Sequence, residues 1–355
     1  MSFYDIDKNF EYNAKNAGKL DHEIPERIWP DKNLWYPFLD SKIASPLGIP
    51  ACSITTGKKI EQITKLGFDV LTYKTVRSIC VNAHPMPNIS WIECKKQLKK
   101  IDEGDIFLSK YTVTDLTNVA IANSFGNACL NINWVLEDIA FAKSCMSNGQ
   151  FLIVSVYGSV EQKARTFFDD FAYVAALVQE AGAQAVELNI SCPNYCGKSL
   201  YKNYYDVYKL VKTVNRAVNL PIIIKVGVFD NYEQAKKVLY AAARAGARGI
   251  CGINSMPRKV MNKDGKPTFG KRIKAGISGK PIFSLAQEFI IDTRTIIDQE
   301  KLSLILLAAG GVTCADDFDV FLDLGADVAM SAGGAIWNPY IAHKWHKKHS
   351  FVYSH

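Results

Sequence analysis

The segment ELNISCPN, residues 187–194, places a thiol and two amide side chains at one point of the chain. Its first five residues are predicted to end a strand, and Cys192 follows in the turn, between Asn189 and Asn194. A cysteine in this position can act as a base that removes a proton next to a carbonyl group, while the amides hold a small polar ring beside it. A buried structural cysteine in a strand-to-loop turn explains the same letters equally well.

Polar side chains also lie at the ends of other apolar runs. Lys74 closes the second predicted strand, and Lys225 lies near the end of the fifth. Asn254 and Ser255 end the sixth. Because lysines among apolar residues are costly to bury without anionic partners, they indicate an anionic or electron-rich cofactor.

Glycine-rich turns follow the later predicted strands. Gly310 and Gly311 come after the seventh strand, SAGG (331–334) comes after the eighth, and AGISGKP (275–281) lies after the sixth. Backbone N–H groups of such turns commonly bind phosphate. A glycine pair alone is ordinary turn chemistry, but with a lysine on an earlier strand these turns predict a phosphate-bearing cofactor.

Apolar runs alternate with amphipathic segments along most of the chain, which is typical of parallel strands joined by crossover helices. The turns EAGAQ, RAGAR and DLGAD each follow a predicted helix, where glycine suits a left-handed terminus. Eight such units predict a closed (β/α)8 TIM barrel, with the chemistry at the carboxyl ends of its strands. A doubly wound sheet is the alternative, although no GxGxxG follows the first strand. The predicted strands are IPACSI (49–54), DVLTYK (69–74), FLIVSVYG (151–158), AVELNIS (185–191), PIIIKVG (221–227), GICGINS (249–255), LILLAAGG (304–311) and DVAMSAGG (327–334).

Two segments fall outside the repeat, within what we predict to be a single domain over 1–355. Residues 75–150 form a long insertion between the second and third strands, which we expect to cover the barrel mouth. Within it, ANSFGN (122–127) either offers a planar amide ring hydrogen bonds or forms a surface turn. Residues 1–48 form an N-terminal extension that we expect to pack across the bottom of the barrel, through Trp29, Trp35, Tyr36 and Phe38.

The composition argues against nucleic-acid and membrane partners. The 355 residues carry 42 basic and 35 acidic side chains, and much of the +7 excess lies in HKWHKKH (343–349), predicted to be a solvated terminus. No basic stripe is found elsewhere. The N-terminus is polar, and no apolar run approaches the length that spans a bilayer. The 9 cysteines are dispersed and form no CxxC pair, so we expect neither a disulfide framework nor a metal site, and a soluble protein of the reducing cytoplasm.

The motifs resemble those of the dihydroorotate dehydrogenases, flavin enzymes of pyrimidine synthesis, with the dihydropyrimidine dehydrogenases close to them. The resemblance covers most of residues 45–340, and ELNISCPN is its specific element. The other motifs are weaker singly and stronger together: ASPLGIPA (44–51), TYKTVRS (72–78), HPMPN (84–88), NSFG (123–126), IIIKVG (222–227), GINS (252–255), GISG (276–279) and AAGGV (308–312).

This resemblance implies a barrel that binds FMN at its mouth and oxidises dihydroorotate to orotate. Cys192 matches the base that removes the C5 proton while a hydride leaves C6 for the flavin. Because the membrane-associated class carries serine there, the cysteine implies a soluble, class 1-like enzyme. Lys225 matches the lysine whose charge would stabilise the reduced flavin, and Lys74 matches one near both the flavin and the substrate carboxylate.

The resemblance assigns the remaining site residues to two groups. The pyrimidine would be surrounded by Asn123, Phe125, Gly126, Asn127, Asn189, Asn194, Asn254 and Ser255. The flavin and its phosphate would contact Ala51, Lys74, Thr75, Asn189, Lys225, Gly279, Gly310, Gly311, Ser331 and Gly333.

Several departures leave alternatives open. Where the family reads NSMGLPN, this chain reads NSFGNACLN, and Cys196 follows the catalytic turn where a proline or another small residue is usual. Residues 261–279 look more like the dihydropyrimidine dehydrogenases, whereas Asn194 favours the orotate branch. A related flavin enzyme acting on another dihydropyrimidine, or a barrel that binds a phosphorylated ligand without flavin, are the alternatives. The electron acceptor stays open between fumarate, NAD through a partner subunit, and quinone, and the family commonly forms homodimers.

Overall fold

A computed structural model describes residues 2–20, 23–101, 104–109, 114–191 and 199–350. The described residues form fifteen strands, ten α-helices and six short 3₁₀ helices. The strands are β1 (Tyr36–Phe38), β2 (Ser41–Ile43), β3 (Leu47–Ile49), β4 (Val70–Val76), β5 (Ile89–Glu93), β6 (Ile106–Leu108), β7 (Ala120–Asn123), β8 (Phe151–Val156), β9 (Ala185–Asn189), β10 (Ile222–Lys225), β11 (Ala247–Gly252), β12 (Met256–Met261), β13 (Lys274–Gly279), β14 (Ile305–Ala309) and β15 (Val328–Met330).

The helices pack around a central barrel, and the last of them lies near the C-terminus. The α-helices are α1 (Phe10–Lys15), α2 (Gly57–Ile63), α3 (Ile132–Ser144), α4 (Phe167–Glu180), α5 (Tyr204–Asn215), α6 (Tyr232–Ala245), α7 (Phe283–Gln299), α8 (Ala315–Asp323), α9 (Gly333–Trp337) and α10 (Ile341–His349). The 3₁₀ helices are Lys32–Leu34, Thr64–Leu66, Leu116–Asn118, Val160–Gln162, Leu200–Lys202 and Lys280–Ile282. Within these described segments, no helix is both long and apolar enough to cross a membrane.

Eight parallel strands close into a barrel in the order β3-β4-β8-β9-β10-β11-β14-β15, so the predicted (β/α)8 fold is confirmed. The strands are aliphatic and almost wholly buried because one face fills the barrel and the other packs under the helices. Gly182, Gly246 and Gly325 end three of those helices with φ of 104°, 108° and 102°, which is the left-handed geometry expected there.

Seven of the eight predicted strands extend past the observed strand ends, and the first and the eighth do so by the most. The first ends at Ile49 rather than at residue 54, because Pro50 has no N–H to continue the ladder. The eighth ends at Met330, and its glycines 333 and 334 begin α9 instead. Both differences move predicted strand residues into the turns at the carboxyl ends of the strands.

A second ring of five strands, in the order β12-β13-β7-β5-β6, combines two excursions from the barrel. One is the predicted insertion between β4 and β8, whose last part, α3, is the regular crossover helix. The other, β12 and β13, follows β11, where the sequence had indicated only a glycine turn. Both excursions leave from the carboxyl ends of barrel strands, so the ring belongs to that end of the barrel.

The N-terminal extension contacts both ends of the barrel. Phe38 of the β1–β2 hairpin is buried with Phe151, 4.9 Å between ring centroids, in the cluster that fills the barrel interior. Residues 2–20 instead reach the carboxyl end, where the ring of Phe10 lies 4.8 Å from Lys74 Nζ. The expectation that the whole extension crosses the bottom was therefore wrong for this part, because its apolar residues pack at the other end.

The basic C-terminal segment is the last helix of the barrel, not a solvated terminus. Trp345 and His346 of α10 are buried, and the His346 ring contacts the Gly67 carbonyl oxygen at 2.8 Å. Burial lowers the pKa of His346 to about 4, so this ring is neutral at physiological pH. Lys348 on the outer face pairs with Asp316 and Asp319.

Candidate active site

Three neighbouring barrel strands end in a chain of hydrogen bonds. Asn189 Nδ2 donates to Thr75 Oγ1 at 3.1 Å, and Thr75 Oγ1 lies 3.1 Å from Ser155 Oγ. These residues come from β9, β4 and β8, whose order in the barrel makes them adjacent. Asn189 and Thr75 are sequence-predicted site residues; Ser155 was missed, although it is the one polar residue before the tyrosine in the run FLIVSVYG.

The same cluster continues to the strand beyond Lys225. Asn254 donates through Nδ2 to Ser191 Oγ and, at 3.4 Å, to Asn189 Oδ1, while Ser191 Oγ donates to Asn189 Oδ1 at 2.9 Å. Asn254 Oδ1 accepts from the Ser255 backbone N–H at 2.8 Å. The structure thus brings Asn189, Asn254 and Ser255 together at the carboxyl ends of the strands. Cys192 and Asn194 lie outside the described residues, so their roles remain predictions.

Lys225 is buried beside the carboxylate of Glu187, which was not predicted as a site residue. Its register places it opposite Asn189 on one side and Cys251 on the other, and its Nζ lies 3.9 Å from Glu187 Oε2. Burial on its own would lower the pKa of Lys225, but Cys251 and Glu187 more than offset it, so the pKa is raised. Burial raises the pKa of the Cys251 thiol to about 12, so at neutral pH Glu187 is the charge that keeps Lys225 protonated.

Lys74 has a different environment, without a carboxylate partner among the described residues. Its Nζ donates to the Ala128 carbonyl oxygen at 2.6 Å and faces the ring of Phe10. Burial lowers the pKa of Lys74 to about 8, and the nearby thiols of Cys129 and Cys52 only partly oppose this. A half-buried ammonium with this set of neighbours is suited to accept an anion.

The segment 123–127 forms a wall next to Lys74. Asn123 Nδ2 donates to the Gly276 carbonyl oxygen at 3.1 Å and to Ser278 Oγ at 3.3 Å, so its amide is held by β13. Asn127 has a positive φ of 53°, and its buried Nδ2 has no hydrogen-bond partner in the described part of the chain. An amide donor in this state is available to a ligand.

Two further residues hold this wall, and neither was predicted. The ring of His84 lies against Gly126, where a Cβ atom would be 2.5 Å from His84 Nε2, which leaves no room for a side chain. Arg272, from the segment between β12 and β13, donates to Ser124 Oγ at 2.7 Å and to the Pro85 carbonyl oxygen at 2.7 Å. No local sequence pattern points to Arg272, because it lies 148 residues from Ser124.

The predicted phosphate turns meet at α9. A Cβ atom at Gly333 would lie 3.6 Å from Gly279 Cα and N, so the space between these two turns is lined by backbone. Gly279, Gly310 and Gly311 have φ of 89°, 130° and 91°, which only glycine adopts readily. Ser331 Oγ donates to the Val312 carbonyl oxygen at 2.8 Å and shapes the turn from inside.

These features fit a flavin nucleotide. The backbone-lined space at Gly279 and Gly333 suits a phosphate, and the buried cation of Lys225 suits an electron-rich ring. Ala51 follows β3 by two residues and Thr75 is the penultimate residue of β4, and their contact with such a ring stays a prediction. The fold and the site together define a (β/α)8-barrel enzyme whose candidate active site combines lysines, amides and glycine turns.

Comparisons with known proteins agree with this description. The family model of dihydroorotate dehydrogenase matches residues 34–348. Dihydroorotate dehydrogenase of Dictyostelium discoideum is 37% identical, over 97% of this chain and 96% of that protein. The chain therefore belongs to the dihydroorotate dehydrogenase family, as its motifs indicated.

More distant relatives mark the limits of the similarity. The NAD-dependent dihydropyrimidine dehydrogenase subunit PreA of Escherichia coli is 34% identical, but over 53% of this chain and 46% of that protein. A crystal structure of the Eimeria tenella DHODH in complex with ferulenol shares the fold, with a TM-score of 0.70, 13% identity, and coverage of 91% of this chain and 87% of that one.

Proposed function

We propose that this protein oxidises dihydroorotate to orotate in de novo pyrimidine biosynthesis, with FMN as cofactor. The observation that carries the proposal is the amide cluster of Asn189 and Asn254 at the strand ends that carry the buried Lys225 and the half-buried Lys74, in a chain of this family. The alternative substrate, another dihydropyrimidine, has less support because the PreA similarity covers about half of the chain.

FMN would be held through its phosphate by the turns at Gly279, Gly310, Gly311 and Gly333, and through its ring by Lys225, with Ala51 and Thr75 beside it. When bound, FMN supplies the hydride acceptor. The Lys225 ammonium, kept protonated by Glu187, would stabilise negative charge on the reduced ring.

The remaining roles in the reaction belong to side chains of the protein. Cys192 takes the C5 proton, Lys74 binds the substrate carboxylate, and the amides of Asn189, Asn194 and Asn254 orient the pyrimidine ring. Because a cysteine of ordinary pKa is mostly protonated at neutral pH, the rate of proton abstraction rises with pH as the thiolate forms.

Replacement of Cys192 tests the assigned base. We expect Cys192→Ala to lower kcat for dihydroorotate roughly 10²- to 10⁴-fold, the usual contribution of a general base. Cys192→Ser should retain residual activity that requires a more alkaline pH. The matched control is Cys145→Ser, at the end of α3, which removes a thiol remote from the site. A Cys192→Ala protein that oxidises dihydroorotate at the parent rate would refute the assignment.

A spectrum of the purified protein separates the alternatives. We expect flavin absorbance that dihydroorotate bleaches, and steady-state rates that are higher with dihydroorotate than with dihydrouracil or dihydrothymine. A colourless protein that takes up no FMN would instead favour the phosphate-binding barrel without flavin.

The proposal also covers the electron acceptor and the cellular location of the protein. The seven cysteines among the described residues are all free thiols, which supports a reducing, cytoplasmic location. Fumarate, NAD through a partner subunit, and quinone are distinguished by assaying each as oxidant, and a homodimer by sedimentation.

A further inference from the structure

Residues 2–20, the N-terminal strap, form a folded unit rather than a loose end. Asn13 is buried at its centre, where Oδ1 accepts from the Asp5 N–H at 2.8 Å and Nδ2 donates to the carbonyl oxygens of Asp5, Lys8 and Asn9. The two ends of the strap are joined by paired backbone hydrogen bonds between Ser2 and Lys19, both at 3.0 Å. A single buried amide therefore fixes the shape of the turn that leads into α1.

The strap is fastened to the catalytic end of the barrel at several points. Phe3 N–H donates to the Ile336 carbonyl oxygen of α9 at 2.9 Å, and Thr56 Oγ1 donates to the Ala14 carbonyl oxygen at 2.9 Å. The buried ammonium of Lys59, on α2, donates to the Asn13 carbonyl oxygen. These bonds hold the strap in one position over the active site.

The inward face of the strap contacts two groups that face the substrate site. Phe10, 5% exposed, places its ring 4.8 Å from Lys74 Nζ. Phe10 and Tyr4 also pack edge-on against Phe125, with ring centroids 6.2 and 5.9 Å apart. Phe125 belongs to the wall 123–127 and packs against Phe10, Ala14 and Ala128, so the wall and the strap form one apolar cluster.

Few charges face Lys74 from the elements packed around it. The titratable and charged neighbours are Cys52 after β3, Arg77 directly after β4 and Cys129 before α3. Burial raises the pKa of Cys52 to about 11 and raises that of Cys129, so both thiols are neutral near pH 7. Among the described residues, the face of the Phe10 ring and the Ala128 carbonyl oxygen are thus the groups that favour the charged form of Lys74.

We propose that the N-terminal strap is part of the active site, and that Phe10 is a positioning residue that keeps Lys74 charged and directed toward the carboxylate of the substrate. The inference rests on the proposed function, because it assigns Lys74 to a substrate anion. The strap also supports the substrate wall through Phe125, so it contributes to affinity rather than to proton or hydride transfer.

Phe10→Leu tests the proposal, since leucine keeps an apolar side chain but removes the ring face. We expect KM for dihydroorotate to rise roughly tenfold near pH 8.5, where Lys74 loses its proton more readily, and less near pH 6.5. kcat should change less than about twofold, because Phe10 does not touch the reacting atoms. Phe10→Tyr, which keeps a ring, should restore the parent KM. Tyr12→Leu is the matched control, as Tyr12 is on the same helix but 40% exposed, and we expect no change in KM.

An unchanged KM for Phe10→Leu at both pH values would overturn the inference. If that variant does not fold, hydrogen exchange in the parent enzyme decides: orotate should slow exchange in residues 2–20, and equal rates with and without orotate would refute the coupling. A parent protein that neither oxidises dihydroorotate nor changes its spectrum with orotate refutes the proposed function itself, whereas an active parent with an unaffected Phe10→Leu variant refutes only the role of the strap.

Discussion

Single residues in this site are governed by the cost of burying charge. Lys225 and Glu187 have side chains that are 5% and 1% exposed, and each is the nearest opposite charge of the other. Neither Glu187 oxygen has a conventional hydrogen-bond partner among the described residues. A pair of this kind contributes little net stability, but removal of one member leaves the other charge uncompensated.

This asymmetry predicts the effect of Lys225→Met. We expect the variant to lose about 3–5 kcal/mol of unfolding free energy in urea, because Glu187 is left buried without its cation. The double variant Lys225→Met/Glu187→Leu should recover most of that loss, whereas both variants should show a lower flavin reduction potential. A double variant as unstable as the single one would mean that the lysine stabilises the fold by packing and not by charge pairing.

At the scale of elements, backbone turns determine where a phosphate fits. Gly279, at the end of β13, has φ of 89°, and a Cβ atom there would lie 2.0 Å from the Val119 carbonyl oxygen. We expect Gly279→Ala to displace the β13 turn from Gly333 and to lower FMN occupancy, measured as flavin absorbance per protein. Gly265→Ala is the control, because its φ of 73° carries similar backbone strain with no atom within 4 Å. Equal FMN loss in both variants would attribute the effect to strain and not to the turn's position.

The same elements show what the sequence could predict. The eight strands and the left-handed glycines were readable because period, apolar runs and glycine positions are local signals. That Asn254 lies at the same end of the barrel as Lys74 and Lys225 followed from the rule that carboxyl ends of parallel strands meet at one edge, whereas Thr75 was implied only by the family resemblance.

What could not be predicted depends on contacts between distant segments. β12 and β13 pair with each other, and β6 and β7, far away in the chain, supply their other pairing edges. Glu187 was predicted only as part of a strand, and its ion pair with Lys225 on the neighbouring strand reveals its role. The contact between Phe10 and Lys74 joins two segments that no local pattern relates.

At the scale of the whole molecule, the two ends of the barrel carry different tasks. The lysines, amides and glycine turns lie at the carboxyl end, and the β1–β2 hairpin closes the amino end. In barrels of this class, residues at the amino end support stability and those at the carboxyl end support catalysis. The N-terminal extension serves both ends, since Phe38 enters the barrel interior and Phe10 contacts Lys74.

This division predicts that Phe38→Ala changes stability without changing catalysis. Phe38 is 1% exposed and packs on Phe151, so its truncation should cost about 3–5 kcal/mol of unfolding free energy in urea, through lost burial and the cavity that remains. KM and kcat for dihydroorotate at 25 °C should stay at the parent values, because the hairpin is at the opposite end from the amide cluster. Tyr36→Ala, two residues earlier and 42% exposed, should change stability by less than about 0.5 kcal/mol. A Phe38→Ala protein that folds normally but has an altered KM would show that the barrel interior couples its two ends, contrary to the independence argued here.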